Sequence, residues 1–310
     1  MTVLIERLRE VRPTRVYVAI DGSRANRAEE GERVQQCREL VASIDWTSDV
    51  RTRFCDRNLG CGLAVSSAIE WFLTTEERGI VLEDDVLPDP SFFPFCSNLL
   101  DRYAHDERVL TINGHNLAPP RAQRQPDLPY RFSTYTEMWG WALWRRSWEN
   151  YRLDITGWQT ELTPTQLWER CGRSTPGALF WAAMFDMVAS GEIDTWDIQL
   201  VYSAMLNNQV MAVPNMNLTE NIGFGPDATH YFRRPLVYQL LETMSFPIEH
   251  GPIEVDVRSD NWVRRYHFQA EMRVKQILER RSPTFQAYVG EIIDLQRKHP
   301  RSFSEQDRGV

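Results

Sequence analysis

The spacing of apolar residues changes period several times in the first 115 positions. Residues 5–11 read as the end of a helix that Pro13 stops. Residues 16–20 (Val-Tyr-Val-Ala-Ile) form a short apolar run typical of a buried strand, closed by Asp21-Gly22-Ser23. Residues 28–42 place Val34, Cys37, Leu40 and Val41 on one helical face. Residues 49–55 read as a strand. Asn58-Leu59-Gly60-Cys61-Gly62 reads as a turn that opens a helix over 63–73. A strand over 79–82 follows, then a break at Pro88 and Pro90, a helix over 92–103 and a strand over 109–112. Strands alternating with helices predict βαβ units, hence an α/β domain with a mainly parallel sheet. Ligands of such sheets bind beyond the carboxyl ends of the strands. Asp21, Glu83-Asp84-Asp85 and the segment 113–116 fall at three such ends.

The pattern is less regular afterwards. A Pro-rich polar loop covers 118–129, and an aromatic-dense segment covers 130–148 with Met138-Trp139-Gly140-Trp141-Ala142-Leu143-Trp144 at its centre. Residues 158–174 read as irregular helix. The acidic cluster Glu192-Ile193-Asp194-Thr195-Trp196-Asp197 opens a helix over 198–207, and 210–214 is a short strand. Residues 221–230 form a Gly-rich loop. After Pro235 the composition shifts toward Arg-rich helical patterns over 259–281 and 284–298. The division that follows is an α/β domain over 1–235 and a mostly helical extension over 236–310.

Composition narrows the partners. The chain has 310 residues, 42% of them hydrophobic and 25% charged, which are globular values. A net charge of −8 argues against nucleic-acid binding through a broad basic surface. Five scattered Cys residues show no zinc spacing and suit reduced thiols in a cytoplasmic protein. The charged segment 1–10 has no signal-peptide character, and no apolar stretch reaches the length of a membrane span. The expected location is the cytoplasm, with any membrane association peripheral, at the inner face.

The most informative segment is Gly79-Ile80-Val81-Leu82-Glu83-Asp84-Asp85-Val86-Leu87-Pro88. Three carboxylates at the mouth of a strand repel one another, so a cation stabilises the arrangement. Mn²⁺ and Mg²⁺ take oxygen ligands and commonly bridge one or two carboxylates to substrate phosphates. The plain alternative is a solvated acidic turn.

Four pieces stand in order: Asp21-Gly22, Glu83-Asp84-Asp85, Trp196-Asp197, and the Gly-rich loop from Phe224-Gly225 to His230. With these, residues 5–235 resemble a nucleotide-diphospho-sugar transferase of the GT-A fold, the bacterial glycosyltransferase group distantly similar to N-acetylglucosaminyltransferase I. The resemblance implies that Asp21 meets the uracil edge of a UDP-sugar. It implies that Asp85 binds Mn²⁺ or Mg²⁺ while Glu83 and Asp84 hold the ribose and nearby basic groups. Asp197 matches a catalytic base, and Gly140-Trp141 a pair near the sugar. His230 matches a second metal ligand in a loop folding over the diphosphate. On the residues alone, Arg57 suits either the diphosphate or a surface acid. Asp194 rivals Asp197 as base; on the residues alone Asp197 reads first as an N-cap, and the resemblance turns the reading toward the base.

The resemblance has one gap. Transferases of this kind begin with a strand before the first helix, and here residues 1–5 are too short to supply it. The expectation is a truncated chain or a pocket with one wall fewer. The function implied is metal-dependent transfer of a sugar from a UDP-sugar to a glycan or other hydroxyl acceptor, with inversion, in bacterial polysaccharide synthesis. The alternatives are a nucleotidyltransferase of similar fold and a non-catalytic sugar- or nucleotide-binding relative.

Overall fold

The N-terminal alternation of helix and strand forms where the apolar periodicity places it. It is seen in a computed structural model that describes residues 1–135, 137–224, 240–280 and 282–299. In order come α1 (Thr2–Val11), β1 (Arg15–Ile20), α2 (Ala28–Leu40), β2 (Asp49–Phe54), α3 (Cys61–Leu73), β3 (Arg78–Val81), β4 (Val86–Pro88), α4 (Phe92–Arg102) and β5 (Val109–Asn113). Next are β6 (Tyr130–Ser133), β7 (Trp141–Trp144), α5 (Arg145–Trp148), α6 (Trp158–Glu161), α7 (Pro164–Arg170) and α8 (Thr175–Ala189). Then follow α9 (Asp197–Asn207), β8 (Val210–Pro214) and β9 (Thr219–Asn221). The chain continues through α10 (Val257–Trp262), a π-helical turn (Val263–His267), α11 (Ala270–Leu278) and α12 (Pro283–Lys298).

The molecule is mixed α/β, but its sheet is not mainly parallel. Five strands order as β3-β7-β5-β8-β6, and only β5–β8 run parallel. The cause is β7. This short aromatic strand inserts between β3 and β5 antiparallel to both, with Ile80 opposite Ala142 and Ile112 opposite Ala142 on its other edge. A second parallel pair, β1–β2, stands as its own two-stranded sheet, and β4 pairs antiparallel with β9. The expected parallel GT-A sheet is therefore present only in part, as two parallel pairs.

Helices cover the sheet. On one side Phe92, Phe95, Cys96 and Leu99 of α4 are fully buried against Ile112, Phe132, Ala142 and Ala212. On the other side Ile69 and Leu73 of α3 and Leu200 and Ala204 of α9 enclose Trp141, Leu143 and Met211. A third core joins α6 to α9 with the helices after residue 256, around Trp158, Trp181, Phe185, Phe285, Tyr288 and Ile292. Aromatic side chains of this size each remove about 150–250 Å² from water. The segment after 256 thus fills a core shared with 158–205. No helix among the described residues is long and apolar enough to cross a membrane.

Candidate functional site

The acidic turn after β3 is held by a strand pair that the sequence does not announce. The Val86 amide donates to the Glu83 carbonyl at 3.1 Å, which closes the turn. β4 then pairs with β9, Val86 opposite Asn221. This brings 221–223 over Asp85. The Ile222 amide donates to the Asp85 carbonyl at 2.7 Å, and Asn221 Nδ2 donates to Asp85 Oδ2 at 3.3 Å. A Cβ on Gly223 would lie 2.2 Å from that oxygen, so only glycine lets the backbone approach so closely.

The other oxygen, Asp85 Oδ1, is buried and has no hydrogen-bond partner among the described residues. Burial, then the charge of Asp84, raises the Asp85 pKa. Glu83 beside it is pushed up to about 7, first by burial and then by the charges of Asp85, Asp197 and Asp84. Asp84 points outward, with its side chain 76% exposed.

Asp197 faces the same mouth from α9. Its Oδ1 accepts the Thr195 hydroxyl and the Ile198 amide, the latter at 2.9 Å. The cap position of α9 is Trp196, and Asp197 is the first helical residue. Its carboxylate therefore folds back on its own turn, and Oδ2 accepts no hydrogen bond among the described residues. Trp196 is fixed by a stack on Trp141, with centroids 5.4 Å apart and planes at 18°, and by Tyr151 Oη donating to its carbonyl at 3.1 Å.

Asp194, the rival base, has both oxygens engaged. Oδ2 accepts the Cys61 amide and Oδ1 the Gly62 amide, each at 2.9 Å, at the start of α3. A carboxylate there answers the orphan N–H groups and the dipole of the helix. Gly60, at φ 82°, has no room for a Cβ: Asp194 Oδ2 would be 2.5 Å away.

The remaining expected residues fall as follows. Asp21 accepts the Gly22 and Leu59 amides on Oδ1 at 2.8 and 3.0 Å, and the Asn58 side-chain amide on Oδ2 at 2.8 Å. Its carboxylate anchors the loop 57–60. Arg57 is exposed, and its backbone presses on Gly22, where a Cβ would meet it at 2.3 Å. Trp141 has no exposed surface and stacks on Trp196 from behind. His230 lies outside the described residues. His115 is buried; it donates from Nδ1 to the Thr219 carbonyl at 3.2 Å, and burial lowers its pKa to about 4. Glu83, Asp85 and Asp197 are thus the expected carboxylates that converge.

Two residues near this mouth were not read from the sequence, Glu137 and His267, whose side chains lie 3.7 Å apart. The signal for the first was available, since Glu137 is the single acid in the aromatic segment 130–148. No protein-family model matches this chain, and no curated protein sequence matches it.

Proposed function

We propose that this chain is a metal-dependent glycosyltransferase that moves a sugar from a UDP-sugar to a hydroxyl acceptor with inversion of the anomeric centre. The observation that carries the reading is Asp85 Oδ1, a buried carboxylate oxygen with no hydrogen-bond partner among the described residues. A buried acceptor left unpaired is destabilising, and a ligand at that oxygen removes the penalty.

The residues fit a hard divalent cation. Asp85 offers oxygen, and Glu83 stands beside it. Among the described residues no group of three or more His, Cys, Asp or Glu side chains forms a cage. Asp85 would therefore be the protein's contribution, with phosphate oxygens of the substrate completing the sphere, as Mg²⁺ and Mn²⁺ sites commonly do. When bound, such an ion offsets the negative charge that builds on a departing diphosphate.

Asp197 takes the acceptor proton. Thr195 and Ile198 hold Oδ1, which orients the carboxylate and leaves Oδ2 for a hydroxyl. Trp141 and Tyr151 hold Trp196, so the base is mounted on buried aromatic packing. A base positioned to receive the proton as the acceptor oxygen attacks gives a single displacement, hence inversion.

The test is a calorimetric titration of UDP with and without Mn²⁺, on wild type and Asp85→Ala. Binding that requires both Mn²⁺ and Asp85 is the expected result. UDP binding indifferent to Asp85, or absent under every condition, would overturn the reading.

A further inference from the structure

Glu137 lies in the connection between β6 and β7, with its side chain 17% exposed. His267, from the π-helical turn, faces it with Nε2 3.7 Å from Oε1, beyond hydrogen-bond range. π-turns are rare and concentrate at functional sites. This one is firmly mounted. Arg264 pairs with Glu271 and donates to Asn261 Oδ1 at 3.2 Å. Next to His267, Phe268 stacks on Phe180 at 5.2 Å and meets Tyr135 edge-on at 5.5 Å. Tyr135–Phe268 and Glu137–His267 therefore form two rungs between the same two segments. The second rung is left open: the Glu137 carboxyl makes no hydrogen bond among the described residues.

Asp197 lies near enough for its charge to act on Glu137. Burial, then Asp197, pushes Glu137 up to about 8, while burial, then Arg273, lowers His267 to about 4. Near neutral pH the pair holds one proton and no net charge. It presents an acid O–H and an imidazole nitrogen, which complement the acceptor and donor of a hydroxyl group. A phosphate or carboxylate at the same place would meet the charge of Asp197.

Building on the glycosyl-transfer reading, we propose that Glu137 and His267 form the acceptor subsite, gripping one hydroxyl of a neutral sugar so that a neighbouring hydroxyl faces Asp197. The segment after residue 256 thereby supplies one wall of the site.

The experiment is saturation-transfer NMR titration of neutral methyl glycosides and a methyl glucuronide, each with and without UDP–Mn²⁺. Wild type is compared with Glu137→Leu, Glu137→Gln and His267→Leu. A neutral glycoside binds wild type, and the two Leu variants each weaken it about tenfold, the loss of one or two hydrogen bonds. Glu137→Gln weakens it less, because the amide keeps a donor and an acceptor. Should a Leu variant not fold, wild type against Glu137→Gln decides. Wild-type affinity falls as Glu137 ionises above about pH 8, and the Gln variant stays flat. The groups around the pair in that comparison are Asp197, Arg273 and His115. Glycoside binding that ignores Glu137, a preference for the glucuronide, or no neutral glycoside bound to wild type overturns the subsite. The two readings fail separately. Glu137-dependent glycoside binding without any UDP binding sinks only the donor reading. UDP–Mn²⁺ binding with glycosides indifferent to Glu137 sinks only the subsite.

Discussion

The five-stranded sheet and the β1–β2 pair end up very differently buried. Every position of β5, β6 and β7 is buried. In β1 only Val16 is, and in β2 no position is. The larger sheet has helices on both faces. The smaller pair joins it through side chains of α3 and its neighbours: Tyr17 meets Trp71 and Phe72 edge-on at 5.1 and 5.4 Å, and Arg15 pairs with Glu76. The contrast teaches where precision resides. Asp85 and Asp197, each with one oxygen unpaired among the described residues, are mounted on the well-packed body. Asp21, at the end of the loose pair, is saturated by its own loop.

The largest test of this contrast is a pair of truncations. Ile112→Ala, at a fully buried centre of β5, is expected to cost about 2–5 kcal/mol. Ile20→Ala, half-buried at the end of β1, should cost about 1 kcal/mol. Chemical denaturation of both reads the difference, and equal losses would show that the two sheets are equally integrated.

A second pair compares two acids three residues apart. Asp194→Ala removes the carboxylate that answers two amides of α3, and should lower stability by about 0.5–2 kcal/mol. Asp197→Asn keeps its turn and should shift stability by no more than about 0.5 kcal/mol, while abolishing transfer. If thermal melts rank the two variants the other way, the division between structural and reacting acid is wrong.

The smallest effect is in pH. His115 and His267, lowered to about 4, bind fewer protons folded than unfolded between about pH 4 and 6.5, so their contribution to stability rises across that window. Glu137, raised to about 8, binds more protons folded than unfolded from about pH 4.5, so its contribution falls until pH passes about 8. Above pH 6.5 the histidines no longer contribute a slope. Stability should then decline toward pH 8 by on the order of 1 kcal/mol per pH unit; Glu83, raised to about 7, adds to the decline only below about pH 7, so Glu137→Gln should flatten the stretch between about pH 7 and 8. Denaturation midpoints measured across the range check it; an unchanged slope in the variant assigns the decline elsewhere.

Apart from β4, element type was legible in the first 115 residues because apolar runs there are bounded by Pro, Gly and acidic turns. Sheet order was not. The run Trp141–Trp144 shows no alternation, and so short a stretch does not distinguish strand from helix. Its antiparallel insertion between β3 and β5 depends on pairings between positions far apart in the chain. Helix α8 escaped notice for a related reason. Gly177 to Ala183 are all buried, so one stretch has no polar face to mark a period. At the site, acids at strand and helix ends were visible as residues. The resemblance favours Asp197 over Asp194, and the amides that each one meets are seen only in the fold. Glu137 is visible as the single acid of the aromatic segment 130–148, but its pairing with His267, far along the chain, is seen only in the fold.

The loop 57–62 has a consequence for how this protein can change. Its path is set by close contacts at two glycines: Gly22 against the Arg57 backbone, and Gly60 against the Asp194 carboxylate. The exposed Arg57 side chain has no share in either contact. Shape and surface chemistry are therefore encoded by different residues. The glycines tolerate almost no exchange, whereas position 57 is open to substitution without moving the acids behind it. Variation in what this rim recognises can accumulate at such a position while the frame that holds the carboxylates stays constant.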